Sequence, residues 1–141
     1  DEGLPVESLP QKGYRLGDME AVQALAPTAV EYFLRANPLF GKFLYFQEAD
    51  TTQSVIKSLA RQDAPAGIVA CAETQSAGRG RRGRSWAGTP GKNLTFSVLL
   101  RPKLKPGEVQ LLNLAAGLAV KETLRAMYSI PAELKWPNDI I

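Results

Sequence analysis

The stretch from residue 76 to residue 92 constrains this chain more than any other feature. It is rich in Gly, Arg, Ser and Pro and has no hydrophobic periodicity, so it predicts a long loop. Residues 67–72 before it form a short apolar run, and residues 93–101 after it alternate between apolar and polar types. Both flanking segments predict strands. A loop of this length inside a compact domain is usually functional.

The rest of the chain alternates between strand and helix patterns. Glycine, proline and asparagine separate the segments, and strands that alternate with helices predict an α+β domain with a mixed β-sheet flanked by helices. The leucine- and alanine-rich helix near the end is expected to be largely buried. The predicted elements are a hairpin over 6–16, a helix over 19–36 that accepts Pro27 in its first turn, an aromatic strand over 43–47, a helix ending near Arg61, a helix over 109–128 and a strand beginning at 133–135.

The positive charge of the chain is concentrated in the predicted loop. The net charge is +3, from 17 basic and 14 acidic residues. Four of the basic residues are Arg79, Arg81, Arg82 and Arg84, and without them 13 basic residues face 14 acidic ones. The basic excess is therefore local, which favours a focused anion site over a broad nucleic-acid footprint.

Arginine and glycine together suit a loop that closes on a phosphorylated substrate. Glycine lets the backbone approach a ligand closely, and guanidinium groups bind phosphate or carboxylate with two hydrogen bonds. Trp86 behind the run and Gln75 before it add a stacking group and a directed amide. A solvated basic loop, a localisation tract and an Arg–Gly contact to nucleic acid are the competing interpretations.

Two further segments carry candidate ligand-binding residues. Lys135–Asp139 ends a predicted strand, where Lys135 can neutralise phosphate and Asp139 can hold a Mg²⁺ ion, although an ordinary turn explains the same residues. Asp50, Thr51 and Thr52 precede a predicted helix. A helix cap explains them, and hydroxyls together with free backbone N–H groups also suit a small polar ligand.

Composition excludes several classes of site and protein. The chain has no histidine, so a histidine-based triad or metal site is excluded and a zinc site is not expected. The one cysteine, Cys71, lies in an apolar stretch and is expected to be buried rather than nucleophilic; it fits a reducing compartment, and we expect a cytoplasmic protein. No apolar run approaches the about 20 residues of a membrane span, and no signal peptide is visible.

Three runs in this order resemble the biotin protein ligase family. They are Asp-Thr-Thr-Gln at 50–53, Glu-Thr-Gln-Ser-Ala-Gly-Arg-Gly-Arg-Arg-Gly-Arg-Ser-Trp at 73–86 and Lys-Trp-Pro-Asn-Asp at 135–139. The resemblance implies the biotin/lipoate ligase catalytic core, which is similar to class II aminoacyl-tRNA synthetases. It also implies that biotin and ATP give biotinyl-5′-AMP, and that biotin then passes to a lysine of a biotin carboxyl carrier domain.

The resemblance also assigns roles to individual residues. Arg81, Lys135 and Arg79 are the implied catalytic residues. The implied biotin-binding residues are Thr51, Thr52, Gln75, Gly78, Arg79 and Arg81. The implied nucleotide-binding residues are Arg81, Arg82, Arg84, Trp86, Lys135, Asn138 and Asp139, and Asp139 is also the implied Mg²⁺ ligand.

The chain departs from the family pattern at the helix start and in its extent. Thr51 and Gln53 replace the Ser and Asn of the usual Asp-Ser-Thr-Asn motif, and Thr keeps the hydroxyl. Family members continue into a strand with a further ligand-binding lysine and a small C-terminal domain. We therefore expect residues 18–141 to be the N-terminal half of the catalytic domain, with little ligase activity by themselves.

The N-terminal residues resemble the wing of a winged-helix domain. Leu-Pro-Val-Glu-Ser at 4–8 and Lys-Gly-Tyr-Arg-Leu at 12–16 carry that resemblance, which is to two-function ligases that also repress transcription. Residues 1–17 are then a wing remnant and linker, and DNA is a partner only through a preceding domain. A short N-terminal hairpin on a ligase without DNA binding is the alternative. A homodimer is compatible with the sequence.

Overall fold

The computed structural model describes residues 6–16, 26–136 and 139–141, which fall into two units, Asp1–Arg101 and Pro102–Ile141. The first unit holds five strands and two helices among its described residues, and the second holds one helix and two short strands. In chain order the elements are β1 (Val6–Leu9), β2 (Gly13–Leu16), α1 (Pro27–Leu34), β3 (Lys42–Ala49), α2 (Thr52–Arg61), β4 (Ile68–Gln75), β5 (Thr95–Val98), α3 (Gln110–Tyr128), β6 (Leu134–Lys135) and β7 (Asp139–Ile140).

The central sheet of the first unit is mixed, as the sequence predicts. Its order is β3-β4-β5, in which β3 runs parallel to β4 and β5 runs antiparallel to it. β3 and β4 reach further than the predicted 43–47 and 67–72, and β5 is shorter than the predicted 93–101. The extra length of β4 carries the sheet to Gln75, at the beginning of the arginine–glycine loop.

Helix α2 connects the two parallel strands and covers the core of this unit. Parallel neighbours need a crossover connection, and a helix is the usual solution. Ile56 of α2 lies in one buried cluster with Ile68, Ala70 and Leu99. The half-buried residues packed against this cluster are Leu44, Phe46, Val55, Leu59, Ala60 and Ala64.

Side chains satisfy the backbone at both ends of α2. At its start the Ser54 N–H donates to Thr51 Oγ1 at 2.9 Å, and the Thr51 N–H donates to Ser54 Oγ at 3.4 Å. This reciprocal pair is a capping box, which confirms the predicted cap among Asp50–Thr52 and assigns it to Thr51. At its end Arg101 donates to the carbonyls of Ala60 and Ala64, so the helix is fixed from both sides.

Helix α1 begins at Pro27, where the sequence predicts a tolerated proline. It ends at Leu34, before Asn37 and Pro38, as expected. Val30 and Leu34 are half-buried, whereas Phe33 is 76% exposed and stacks edge-on against Tyr32. The predicted helical residues 19–25 lie outside the described part of the chain.

Helix α3 matches its predicted range, but the prediction that it is largely buried is wrong. It runs from Gln110 to Tyr128, and none of its residues is buried. Leu111 and Leu118 are 58% and 50% exposed. Apolar composition predicts burial only where another surface covers the helix. In the described residues no helix is long and apolar enough to cross a bilayer.

Strands β6 and β7 form a small antiparallel hairpin in the second unit. Leu134 pairs with Ile140 and Lys135 with Asp139, and the Glu133 and Ile141 backbones extend the ladder. Lys121 of α3 forms a 3.0 Å ion pair with Glu133. Lys135 and Asp139 therefore face each other across two paired strands, whereas the sequence predicts this run at the end of a single strand.

The predicted N-terminal hairpin is present. β1 and β2 pair antiparallel, with Val6 opposite Leu16, and the turn passes through Gln11 at φ 61°. The Lys12 N–H donates to the Leu9 carbonyl at 3.0 Å. Residues 1–5 and 17–25, which include the predicted linker, lie outside the described part of the chain.

Replacing Ile56 with alanine tests the assigned core. The Ile56→Ala variant should lower the free energy of unfolding by about 2–5 kcal/mol, because it leaves a cavity between α2 and the sheet. The matched control is Ser58→Ala on the exposed side of the same helix, which should change it by about 0.5 kcal/mol or less. Urea unfolding followed by circular dichroism measures both, and equal effects would contradict the assigned core.

Candidate functional site

A cavity of about 530 Å³ lies where α2 begins, β4 ends and the arginine–glycine loop departs. Among the residues implied by the family resemblance, the cavity brings together Thr51, Thr52, Gln75, Arg79 and Trp86. The other residues that line it are Asp50, Gln53, Ser54, Lys57, Ala77, Thr95, Phe96 and Ser97. The sequence thus predicts five of the lining residues, from two of the three runs.

The side chain of Gln75 ties the end of β4 to the start of α2. Its Oε1 accepts from the Thr52 N–H at 2.7 Å and from the Thr52 hydroxyl at 3.3 Å. With the carbonyl oxygen engaged, the amide nitrogen of Gln75 keeps its two donors for other partners. This nitrogen lies beside Gly78, so the donors face the entrance to the loop.

The predicted use of free N–H groups at the helix start needs correction. The Thr52 N–H is bound to Gln75, and the Ser54 N–H is bound to Thr51 Oγ1. Both donors are therefore satisfied within the protein. The Gln53 N–H between them has no hydrogen-bond partner among the described residues, so a ligand at this helix start can meet that group as well as side chains such as the Gln75 amide.

Strand β5 contributes polar residues that the sequence analysis did not single out. The Ser97 hydroxyl lies 2.8 Å from the Thr52 hydroxyl, and Thr52 is only 3% exposed. Thr95 and Ser97 line the cavity, while Phe96 and Val98 alternate with them and are 47% and 40% exposed. In the sequence, the alternation of hydroxyl and apolar residues was the available signal that this strand has a polar side.

The arginine–glycine run forms a tight hairpin, which the prediction of an irregular loop did not include. Arg79 and Ser85 form an antiparallel bridge, and the Gly80 N–H donates to the Arg84 carbonyl at 2.7 Å. A short 3₁₀ turn over Arg81–Gly83 closes it, with Arg82 at φ 58° and Gly83 at φ 76°. We call residues 78–86 the arginine hairpin.

A close backbone contact fixes the base of the arginine hairpin. The Trp86 N–H donates to the Gly78 carbonyl at 2.9 Å, and a Cβ at residue 78 would lie 2.3 Å from the Trp86 carbonyl oxygen. No side chain fits at that distance. Gly78 is therefore required for Trp86 to lie beside the cavity, which gives a steric reason for glycine at the first position of the run.

Three arginines of the hairpin carry charge that has no described ion-pair partner. In the part of the chain that the structure describes, no carboxylate forms an ion pair with Arg79, Arg82 or Arg84. Arg79 lines the cavity, whereas Arg82 and Arg84 are exposed and do not line it. The Arg81 backbone lies in the 3₁₀ turn, and its side chain is outside the description. An anionic ligand is the natural partner for this charge.

The second unit holds the other predicted site residues. Lys135 and Asp139 are opposite each other on β6 and β7, and both are exposed. Asn138 lies outside the described residues. Across the described part of the chain no group of three acidic, cysteine or histidine side chains could enclose a metal ion. A Mg²⁺ ion held by one carboxylate and by nucleotide phosphates remains consistent with Asp139.

A tyrosine–glutamate pair lies on the sheet two residues before Gln75. The Tyr45 hydroxyl donates to Glu73 Oε1 at 2.8 Å. Burial, and then this hydrogen bond, raises the pKa of Tyr45 to about 12. Burial also raises the pKa of the Cys71 thiol, which is 1% exposed. Cys71 is therefore a buried thiol, as expected, and is kept in its protonated form.

Comparison with known proteins identifies relatives of this chain. The model of the Biotin/lipoate A/B protein ligase family matches residues 43–141. The bifunctional ligase/repressor BirA of Bacillus spizizenii is 33% identical over 140 residues, which are 99% of this chain and 42% of that protein. The biotin–[acetyl-CoA-carboxylase] ligase of Mycobacterium tuberculosis is 46% identical over 79 residues, which are 53% of this chain and 30% of that protein. The chain thus spans about two fifths of the BirA relative.

Solved structures of biotin ligases share this fold. The biotin protein ligase of Aquifex aeolicus in complex with biotin and ATP is 39% identical, with a TM-score of 0.60 over 72% of this chain and 41% of that one. The biotin acetyl coenzyme A carboxylase synthetase of Helicobacter pylori with bound biotinylated ATP is 35% identical, with a TM-score of 0.59 over 71% of this chain and 48% of that one.

A methyl group at residue 78 should open the arginine hairpin. In the Gly78→Ala variant the backbone must shift away from Trp86, so trypsin should cut the hairpin at least about fivefold faster than in the unaltered protein. Gly80→Ala is the matched control, because the nearest atoms to its Cβ are 3.6 Å away. Mass spectrometry of the early fragments measures both rates. Equal cleavage of the two variants would contradict the close contact.

Tyr45 should ionise at a higher pH than an ordinary tyrosine. At pH 11 its hydroxyl stays protonated, because its pKa is about 12 instead of 10.0. Since the unfolded chain releases this proton first, the Tyr45 contribution to stability falls as pH rises from about 10 to about 12. Ultraviolet titration of tyrosinate should lose its latest step in Tyr45→Phe. Loss of a step near pH 10 would contradict the assignment.

Proposed function

The chain belongs to the Biotin/lipoate A/B protein ligase family, and on that premise we propose that it supplies the N-terminal half of the catalytic domain of a biotin protein ligase. The proposed enzyme activates biotin with ATP to biotinyl-5′-AMP and transfers biotin to a lysine of a biotin carboxyl carrier domain. The observation that carries the proposal is the single cavity shared by Thr52, Gln75 and Arg79. The complexes of related ligases with biotin and ATP support it.

Biotin is proposed to bind with its head group against the start of α2. The ureido ring of biotin offers N–H donors and a carbonyl acceptor, so it needs both kinds of partner. The amide nitrogen of Gln75 supplies donors, and the hydroxyls of Thr51 and Thr52 serve as donors or acceptors. The backbone at Gly78 completes the proposed set. Because the Thr52–Gln75 bonds already exist, the polar groups need little rearrangement on binding.

Arg79 and Arg81 are proposed to bind the biotin carboxylate and the phosphate that it attacks. In the first step a carboxylate oxygen forms a bond to the α-phosphorus of ATP, and the bond from that phosphorus to the pyrophosphate oxygen breaks. No covalent enzyme nucleophile is needed, since the protein aligns the reactants and neutralises the developing negative charge. The guanidinium group of Arg79, which lines the cavity and has no described ion-pair partner, is suited to this task.

Nucleotide-binding roles are proposed for two sets of residues. Arg82, Arg84 and Trp86 of the hairpin would reach the nucleotide once the hairpin closes over it. Lys135 would neutralise phosphate charge. Asn138 and Asp139 complete the proposed nucleotide set, and Asp139 would be the carboxylate ligand of a Mg²⁺ ion whose other ligands are phosphate oxygens and water. Such an ion would screen the charge of the triphosphate.

Transcriptional repression is a second proposed function of the intact protein. The observation that favours it is the match to bifunctional ligase/repressors over 99% of this chain, including the β1–β2 hairpin. Residues 1–17 would then be the wing and linker of a DNA-binding domain, and residues 18–141 the ligase part. A homodimer and a cytoplasmic location belong to the same proposal.

Replacing Arg81 with alanine tests the proposed chemistry in the intact protein. Biotin-dependent exchange between ATP and pyrophosphate should fall by about 100-fold or more, because one stabilising charge at the reacting phosphate is lost. Arg35→Ala, an exposed arginine at the end of α1, is the matched control and should exchange normally.

The same variants separate ligation from the alternative function. If the arginine run only contacts nucleic acid or senses a ligand without catalysis, the unaltered protein shows no exchange. Arg81→Ala would then merely weaken nucleic-acid binding and flatten its dependence on salt. A normal exchange rate in Arg81→Ala would contradict the proposed role of that residue.

A further inference from the structure

The carboxylate of Glu73 binds two segments that lie far apart in the chain. Its Oε1 accepts from the Tyr45 hydroxyl at 2.8 Å, and its Oε2 accepts from the Gly91 N–H at 3.2 Å. Tyr45 belongs to β3, and Gly91 lies eighteen residues after Glu73, beyond the arginine hairpin. One half-buried side chain on the central strand therefore holds the far end of the loop that leaves this strand.

The far end of the loop is a small ordered turn. The Lys92 N–H and the Asn93 side-chain amide both donate to the Thr89 carbonyl, at 3.1 and 2.8 Å. Gly91 takes φ 70° within this turn, which presents its N–H to Glu73. The turn is exposed to solvent, and Glu73 is its described side-chain link to the sheet. Without that link, the turn would keep its local bonds but lose its attachment to β4.

The near end of the same loop is held in a different way. There the Ser76 and Ala77 N–H groups donate to the Ala49 and Asp50 carbonyls, both at 3.0 Å, so the backbone continues beside β3. The arginine hairpin lies between these two attachments. Its exposed arginines and Trp86 reach a common ligand only if both ends of the loop are fixed, since a loop attached at one end has many more conformations.

We propose that Glu73 is a positioning residue that fixes the far end of the arginine–glycine loop and so sets the affinity of the site for biotin and ATP. The proposal rests on the proposed ligase function and deepens it. Glu73 does not line the cavity, so it acts through Gly91 and the hairpin rather than by touching the substrates. Tyr45 fixes the carboxylate in the orientation that Gly91 requires.

Two substitutions distinguish the effect of side-chain length at residue 73 from the effect of its charge. Glu73→Gln keeps the length of the side chain: its oxygen can still accept from the Gly91 N–H, and its amide can donate to Tyr45. Glu73→Asp keeps the charge but is shorter by one methylene, so it cannot reach both partners. If Glu73 acts by positioning, the neutral Glu73→Gln should therefore keep the KM and cleavage rate of the unaltered protein, and the charged but shorter Glu73→Asp should not.

The experiment measures biotin-dependent exchange between ATP and pyrophosphate in the intact protein, together with the rate of tryptic cleavage of the hairpin. We expect Glu73→Asp to raise the KM for biotin and ATP about tenfold, with kcat within about threefold of the unaltered value. Its hairpin should be cut faster at an unchanged melting temperature. Glu73→Gln should restore KM and cleavage rate to within about threefold of the unaltered values.

Three results would overturn the proposal. The first is an unchanged KM and cleavage rate in Glu73→Asp. The second is the inverse pattern, in which Glu73→Asp keeps the KM and cleavage rate of the unaltered protein and Glu73→Gln does not. This would show that the charge of the side chain matters and its length does not. The third is a loss of kcat alone. Failure of the proposed function itself would look different. The unaltered protein would then show no exchange between ATP and pyrophosphate, while the tryptic cleavage rates would still show whether Glu73 holds the far end of the loop.

Discussion

The candidate site depends on one hydrogen bond, from the Thr52 N–H to the side-chain oxygen of Gln75. A helix start leaves N–H groups without partners inside the helix, and a strand end leaves a side chain free to meet them. Here each satisfies the other, so the start of α2 and the end of β4 are held together at 2.7 Å. The Thr52 hydroxyl extends the contact to Ser97 of β5. The cavity thus has a polar wall built from three elements before any ligand arrives.

The arginine hairpin differs from this polar wall, because its charged groups are not satisfied within the protein. No described carboxylate forms an ion pair with Arg79, Arg82 or Arg84. Its backbone is nevertheless well defined, with the Gly78–Trp86 contact at its base and the turn over Arg81–Gly83 at its tip. The protein therefore holds the backbone of the hairpin while leaving its guanidinium groups to an anionic partner. A carboxylate and a triphosphate brought into one cavity would relieve the repulsion among the arginines and draw the hairpin over them.

Much of this arrangement could be predicted from the sequence, for identifiable reasons. A cap among Asp50–Thr52 could be predicted because a side-chain oxygen there can accept from the helix N–H groups, and the structure places that cap on Thr51. Pro27 was expected to be tolerated in a first helical turn, and α1 begins at it. Burial of α3 was predicted wrongly, because apolar composition does not say which surface covers a helix. Ser97 was missed because it lies with Thr95 on the polar side of an alternating strand, and a polar side is ordinarily expected to face solvent. The hairpin form of residues 78–86 follows from pairings between backbone groups, which side-chain identities do not encode.

The roles assigned to Lys135, Asn138 and Asp139 stay predictions, whereas the cavity of the first unit is described in atomic detail. The most direct test of the account is therefore amide hydrogen exchange over residues 76–90 of the intact protein, with and without biotin and ATP. We expect amide exchange in this segment to slow by about tenfold or more when both are present. Equal exchange rates under conditions where biotin is bound would show that the hairpin does not close on the ligand.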